Sequence, residues 1–135
     1  MPIIDTDLII NYLRNQSNAV KIISNFKKEK TPLKTTIFNV AELFKGAYLS
    51  SNVGKSFRGI TDLLKHFEIL NYSIEDAQKY GQISASLKKE GQSIGVFDEL
   101  IASIVIRREE TLVTRNLNHY SRIPRISLQN WDKSK

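Results

Sequence analysis

The stretch PIIDTDLII, residues 2–10, places an acidic turn between a short apolar run and the start of an amphipathic helix. The branched apolar side chains of residues 2–5 predict a short strand that ends at Asp5, and residues 8–13 continue at helical spacing. In parallel α/β sheets, ligands bind at the carboxyl ends of the strands. Asp5 is therefore expected at the edge of a sheet where a functional site is formed.

Outward from this stretch, strand-like segments and amphipathic helices alternate along the whole chain. The pattern predicts further strands at 33–37, 67–70, 111–114 and 126–128, and helices at 18–28, 39–50, 54–66, 74–90 and 98–108. The helix at 98–108 is largely apolar and is expected to be buried. This alternation favours an α/β fold built from right-handed βαβ units around a parallel sheet, as a single domain over residues 1–135.

Composition narrows the class of protein further. The 135 residues include no cysteine and two histidines, which excludes disulfide scaffolds, thiolate metal sites and cysteine nucleophiles. The net charge of +6 favours a polyanionic partner such as nucleic acid, and a solvated basic surface that only keeps the protein soluble is the alternative explanation. Without a signal-like start or an apolar run long enough to span a bilayer, we expect a soluble, cytoplasmic protein with no membrane partner.

Three acidic residues are the candidate functional groups. Asp5 and Asp98 each lie where a helix is predicted to begin, and Asn39 with Glu42 forms a capping-box-like pattern. Each has a purely structural explanation as a helix cap. Together, at the starts of three helices of one sheet, they predict a carboxylate cluster that needs a cation, and Mg²⁺ or Mn²⁺ suits an all-oxygen site. A carboxylate-held metal in a basic protein indicates a phosphodiester-cleaving nuclease.

The motifs around these acids carry a family resemblance. They are IIDTDLII at 3–10, NVAELFKG at 39–46, GVFDELIA at 95–102, TLVTRN at 111–116, YSRIP at 120–124, and Trp131. In this order and spacing they resemble the PIN-domain ribonucleases, specifically the VapC toxins of prokaryotic toxin–antitoxin pairs. The resemblance extends from the first strand to Trp131.

The resemblance implies a three-layer α/β/α sandwich with a mainly parallel central sheet, and Mg²⁺- or Mn²⁺-dependent endoribonuclease activity. Asp5, Glu42 and Asp98 match the principal acidic positions of the family and are assigned as metal ligands, directly or through water. Thr6 and Thr114 match hydroxyl positions beside the acids. Asn116 lies where many relatives carry a fourth acid, which places a second metal in doubt.

The resemblance also implies partners: RNA as substrate, a co-expressed small antitoxin, and a second copy in a homodimer. Candidate phosphate contacts are Arg107, Arg108, Arg115, Arg122 and Arg125. Candidate groove residues for the antitoxin are Leu13, Phe44, Tyr48 and Phe57, of which at least half are expected in the core. Tyr120 and Trp131 are expected to pack rather than to stack on bases.

Two alternatives come from other classes of protein. A phosphoacceptor receiver domain needs an aspartate after the strand at 67–70, where this chain has Asn71-Tyr72. A PIN-like module that binds RNA or protein without turnover remains open. Three intact acids weigh against it, because a negative cluster weakens RNA binding unless a metal neutralises it.

Overall fold

The computed structural model describes residues 2–132. Its strands are β1 (Pro2–Ile4), β2 (Lys34–Thr36), β3 (Glu68–Leu70), β4 (Thr111–Thr114) and β5 (Ser127–Asn130). They form one sheet in the order β3-β2-β1-β4-β5, and every neighbouring pair is parallel. The helices are α1 (Thr6–Leu13), α2 (Ser17–Lys28), α3 (Ile37–Leu49), α4 (Val53–Leu64), α5 (Ile74–Lys89), α6 (Val96–Arg107) and α7 (Leu117–Tyr120).

Strand β1 lies at the centre of the sheet, between β2 and β4. On one side of β1 lie β2 and then β3, and on the other side lie β4 and then β5. The direction in which successive strands are added therefore reverses beside β1. This is the type of position at which open α/β sheets bind ligands. The carboxyl ends of β1 and β4, at Ile4 and Thr114, meet there.

Helices cover both faces of the sheet, which confirms the predicted three-layer α/β/α arrangement. Alternating side chains of the central strands enter two separate cores, as the period of two in a strand requires. Ile4 and Val113 pack in the core with helices α1 to α4, while Ile3 and Leu112 pack in the core with α5 and α6. All four side chains are fully buried. The predicted burial of the 98–108 helix is also confirmed, since Ile101, Ala102, Ile104 and Val105 of α6 are inaccessible to solvent.

Several predicted boundaries were wrong, and the capping interactions explain the largest shift. Helix α3 begins at Ile37, because Thr36 is its N-cap and Asn39 completes the capping box from inside the helix. The predicted Asn39–Glu42 box is therefore incorrect, and Glu42 lies in the second turn rather than at the helix start. The strand predicted at 33–37 correspondingly shortens to Lys34–Thr36.

Two other elements differ from the pattern. Helix α6 begins at Val96, so Asp98 is its third residue, and β5 runs over Ser127–Asn130 instead of 126–128. The short helix α7 was not predicted, because four residues are too few to show a helical period.

An ion pair between α5 and α6 fixes the helix that carries Asp98. The guanidinium of Arg107 donates from Nε to Asp76 Oδ1, and the Asp76 side chain is fully buried. Burial alone raises the pKa of Asp76, but the hydrogen bonds from Arg107 and Ser73 hold it below its usual range. Arg107, a predicted phosphate contact, is thus engaged in the fold. No helix in the described part of the chain is long and apolar enough to cross a membrane.

Candidate active site

Asp5 is the buried centre of the candidate site. It follows β1 directly and caps helix α1, with its side chain accepting from the Thr6 backbone N–H at 2.9 Å. The Asn39 amide donates to the same oxygen, Oδ1, at 2.9 Å, and the Thr114 hydroxyl donates to Oδ2 at 2.8 Å. Three different elements, α1, α3 and β4, therefore hold this carboxyl in one orientation. The predicted N-cap role and a role in the site are compatible in one residue.

The protonation of Asp5 is strongly perturbed. Burial, with the residue only 6% exposed, raises its pKa from 3.8 to about 7, and the charges of Asp7 and Asp98 add to the increase. Hydrogen bonds from Thr114 and Thr6 oppose the shift without cancelling it. A carboxyl group whose pKa is perturbed to this extent by burial and by neighbouring charges is typical of a functional site.

Glu42 reaches the same site from α3. Its Oε1 accepts from the Thr6 hydroxyl at 2.8 Å, and the Thr6 oxygen accepts from the Asn39 amide at 2.9 Å. Burial raises the pKa of Glu42, and the charges of Asp98 and Asp7 contribute. Thr6 and Asn39 therefore link Asp5 and Glu42 in one hydrogen-bonded network.

Asp98 enters from the first turn of α6, which follows Gly95. The φ of +107° at Gly95 is one that residues with a side chain rarely adopt. The Tyr120 hydroxyl donates to Asp98 Oδ1 at 3.2 Å, and His119 Nδ1 lies 3.0 Å from Oδ2. Because a carboxylate oxygen only accepts, the imidazole donates from Nδ1. The Asn116 amide lies 3.4 Å from the same oxygen, so α7 and its N-cap orient Asp98.

Tyr120 packs as predicted, but the sequence analysis did not anticipate its contact with Asp98. The ring is completely buried, and burial followed by the charges of Asp5 and Asp98 raises the pKa of the phenol far above its usual value. The hydroxyl is therefore a permanent donor. The approach of His119 was also missed, since the helix that brings it to the site carries no detectable period.

Asp7 is a further residue that sequence reasoning left unassigned. Its Oδ2 accepts from the Thr114 hydroxyl and the Arg115 backbone N–H, both at 3.1 Å, and its Oδ1 accepts from Trp131 Nε1 at 2.8 Å. The indole is 3% exposed, as its predicted packing role requires. The available signal was the second acid of the Asp5-Thr6-Asp7 turn. Asp7 ties the ends of β4 and β5 to α1.

The donor chemistry fits a hydrated divalent cation. Among residues 2–132, no three carboxylate or imidazole side chains are placed so that they could hold one metal ion together by direct contact. Asp5 and Asp98 each accept hydrogen bonds on both carboxyl oxygens. Glu42 accepts a hydrogen bond from the described residues on Oε1 alone. Mg²⁺ is commonly held by one or two carboxylates and keeps several waters. The three acids fit such an ion if part of the contact is through water.

The predicted arginine contacts do not all lie at this site. Arg115 borders it, because its backbone N–H donates to Asp7 and its guanidinium packs over the Trp131 ring, 5.4 Å from the centroid. Arg122 instead donates to the Ser93 carbonyl at 3.3 Å, and Arg125 is exposed with a left-handed backbone. The structure brings neither Arg122 nor Arg125 into contact with an acid of the site.

The expectation that at least half of the four candidate groove residues lie in the core is wrong. Leu13, Tyr48 and Phe57 are exposed and Phe44 is only partly buried, so none of the four belongs to the fully buried core. Phe44 and Phe57 contact each other with ring centroids 5.2 Å apart. Of the four, only Leu13 lines the cleft of about 570 Å³ between α1, α3 and α4.

Comparison with known proteins gives a consistent picture. Ribonuclease VapC1 of Haemophilus influenzae is 32% identical over 133 residues, covering 96% of this chain and 97% of that protein. The solved VapBC2 complex of Rickettsia felis, bound to a promoter DNA fragment, aligns with a TM-score of 0.89 and 26% identity over 97% of this chain and 98% of that one. The solved VapBC-1 complex of H. influenzae aligns with a TM-score of 0.85 and 30% identity over 96% of this chain and 97% of that one. The PIN domain model matches residues 3–126, and the chain therefore belongs to the PIN-domain family, among the VapC ribonucleases.

Proposed function

We propose that this protein is a divalent-metal-dependent endoribonuclease that acts in the cytoplasm as the toxin of a toxin–antitoxin pair. The observation that carries the proposal is the hydrogen-bonded link of Asp5 and Glu42 through Thr6 and Asn39, with Asp98 near enough for its charge to raise the pKa of both, beside the point where the strand order reverses. The net charge of +6 suits an RNA substrate. The similar ribonucleases and toxin–antitoxin complexes support the same activity.

The chain's own residues would hold Mg²⁺ or Mn²⁺ through Asp5, Glu42 and Asp98, partly through water. When bound, such an ion activates water and stabilises the charge that develops on the phosphate. Thr6 holds Glu42 and Thr114 holds Asp5, while Tyr120 and His119 hold Asp98. With Asn116 in place of a fourth acid, the site has less negative charge for a second ion. In-line attack of water leaves a 5′-phosphate and a 3′-hydroxyl.

The activity is tested with the purified chain and a labelled single-stranded RNA. We expect cleavage in Mg²⁺ or Mn²⁺, no cleavage in excess chelator, and products that carry 5′-phosphates. A non-catalytic binding module would retain the RNA intact under all conditions. Intact RNA in both metals would contradict the proposed function.

We propose that a small antitoxin binds the cleft between α1, α3 and α4. Leu13 lines this cleft, and α3 and α4, which form two of its walls, also carry the exposed rings of Tyr48 and Phe57, whose centroids lie 6.3 Å apart. These apolar side chains suit an amphipathic helix or an extended arm. Co-expression with the protein of the adjacent reading frame should restore growth, and the two should co-purify. Tyr48→Lys should weaken that complex and leave RNA cleavage unchanged. If the adjacent protein neither restores growth nor co-purifies, the toxin role is wrong.

The homodimer is also a proposal. Ile74, Val96 and Phe97 are exposed apolar side chains at the starts of α5 and α6, and they offer a surface for a second copy. Sedimentation of the purified protein tests it: a dimer is expected, and a monomer at all concentrations would contradict it.

A further inference from the structure

A polar cleft of about 440 Å³ lies between α2 and β5, beside the acidic site. Its polar walls are formed by Asn18, Lys21, Asn25, Gln129 and Asn130, and we call it the amide groove. The three residues on α2 follow the spacing i, i+3, i+7, so they lie on one face of that helix. The volume falls within the roughly 300–1,000 Å³ of small-ligand sites. Four of its five polar side chains are amides.

The amide groove continues into the active site. A second cleft, of about 430 Å³, is lined by Asp7, Arg115, Asn116, Asn130 and Asp132. Asn130 lines both clefts. At the other end of the second cleft, the Asn116 amide lies 3.4 Å from Asp98 Oδ2. A polymer held at the acids can therefore pass Asn116 and Asn130 and enter the amide groove.

Three of the five polar side chains in the groove are available to a ligand, whereas Asn18 donates to Asp132 and Asn130 accepts from the Asp132 backbone N–H. Within residues 2–132, the side chains of Lys21, Asn25 and Gln129 form no hydrogen bond or ion pair with the rest of the protein. Trp131 also lines the groove, and its indole N–H donates to Asp7 Oδ1, which fixes the position of the ring. Amide side chains both donate and accept, which suits the edges of unpaired bases, and a lysine suits a phosphate.

We propose that the amide groove binds the single-stranded RNA flanking the scissile phosphate, an inference that rests on the proposed ribonuclease function. Lys21 contacts a backbone phosphate, and the amides of Asn25 and Gln129 contact base edges. Arg115 lines the second cleft, where its guanidinium lies over Trp131 and 3.5 Å from Asp132 Oδ2; its side chain is 41% exposed, and this exposed part contacts the intervening phosphate.

The lining favours RNA over a protein segment. Five of the seven residues that line the groove carry amide or ammonium groups, which can pair with base edges and phosphates; the other two are Ile22 and Trp131. The cleft between α1, α3 and α4 is instead lined by several aliphatic side chains, among them Ile10, Leu13 and Leu43. The two surfaces are therefore suited to different ligands.

The test uses oligoribonucleotides of increasing length, about 3 to 12 nucleotides, because only the longer ones can fill the groove. Binding is measured by fluorescence anisotropy in chelator, where no hydrolysis occurs, and cleavage is measured separately in Mn²⁺. The variants are Lys21→Gln and Asn25→Ala. The matched control is Lys27→Gln, which removes the same charge from another face of α2, where Lys27 contacts the Tyr12 ring.

We expect Lys21→Gln to weaken binding of the long oligonucleotides roughly 3- to 10-fold, and to reduce the salt slope by about 0.7. KM for long substrates should rise by a similar factor with kcat unchanged, and the shortest substrate that the parent cleaves should be cleaved equally well. Lys27→Gln should match the parent. Circular dichroism and melting of each variant report its folding.

Equal binding by Lys21→Gln and Lys27→Gln at every length would overturn the proposal. Loss of antitoxin co-purification in Lys21→Gln, with RNA binding unchanged, would also overturn it in favour of a protein ligand. If the parent cleaves no RNA but the length-dependent binding is lost in Lys21→Gln, the groove is supported and only the proposed activity fails.

Discussion

Replacing Asp5 with asparagine is expected to stabilise the metal-free protein while abolishing cleavage. The residue is 6% exposed and its pKa is about 7, so at pH 8 folding forces a charge into a buried site. Asparagine keeps the acceptor for the Thr6 N–H and the Asn39 amide. Its NH₂ group then faces the Thr114 hydroxyl, which accepts from it and donates to Asp7 Oδ2, already 3.1 Å away.

The magnitude follows from the change in pKa. Moving a carboxyl from its ordinary 3.8 to about 7 corresponds to roughly 4 kcal/mol, which is a ceiling because water entry and relaxation reduce it. Between these two pH values the folded state binds more protons than the unfolded chain, so stability falls as pH rises through the window. The loss is absent below about pH 4 and complete above about pH 7.

The assay is thermal and denaturant unfolding of the parent and Asp5→Asn in excess chelator at pH 4.5 and pH 8. We expect Asp5→Asn to be more stable by about 2–4 kcal/mol at pH 8, and by less than about 1 kcal/mol at pH 4.5. Asp62→Asn is the control, because Asp62 is a surface residue whose side chain is 75% exposed. An Asp5→Asn variant that is no more stable than the parent at pH 8 would refute the reasoning.

Three further predictions follow from other contacts. Asn116→Asp adds a charge beside Asp98, so the metal-free variant should melt at a lower temperature than the metal-free parent. Mn²⁺ should raise the melting temperature of the variant more than that of the parent, and equal rises would place the ion elsewhere. Asp76→Asn removes the buried partner of Arg107 and should lower the free energy of unfolding by about 2–3 kcal/mol, measured from urea midpoints; a change below about 0.5 kcal/mol would show that the pair is unimportant. Tyr120→Phe deletes only the hydroxyl that donates to Asp98, so steady-state kinetics should show kcat reduced several-fold and KM unchanged, and an unchanged kcat would exclude the positioning role.

The elements with a clear hydrophobic pattern were predictable from the sequence. Long amphipathic segments identified the main helices, and the apolar residues 2–4 identified the central strand. The start of α3 was not predictable in this way, because both Thr36 and Asn39 are good capping residues and only tertiary contacts decide between them. Asn39 lies inside the helix, where its side-chain amide donates hydrogen bonds to Asp5 and Thr6.

In the candidate site, too, some residues could be identified from local sequence and others depend on tertiary contacts. Asp5 and Asp98 could be proposed because one follows a strand and the other lies in the first turn of a helix. Glu42 was proposed from a capping pattern that the structure does not form, and from the family resemblance. Asp7 and His119 could not, since their contacts depend on where residues more than 20 positions away are placed. The amide groove depends on the packing of α2 against β5, which no local pattern describes.

The central claim is that Asp5, Glu42 and Asp98 together support metal-dependent RNA cleavage, and initial cleavage rates of matched amide variants test it most directly. Asp5→Asn, Glu42→Gln and Asp98→Asn should each fold, as melting curves will show, and each should lose at least about 100-fold in rate at saturating Mn²⁺. The surface control Asp62→Asn should cleave like the parent. Parent-like rates in any two of the three acid variants would contradict the account.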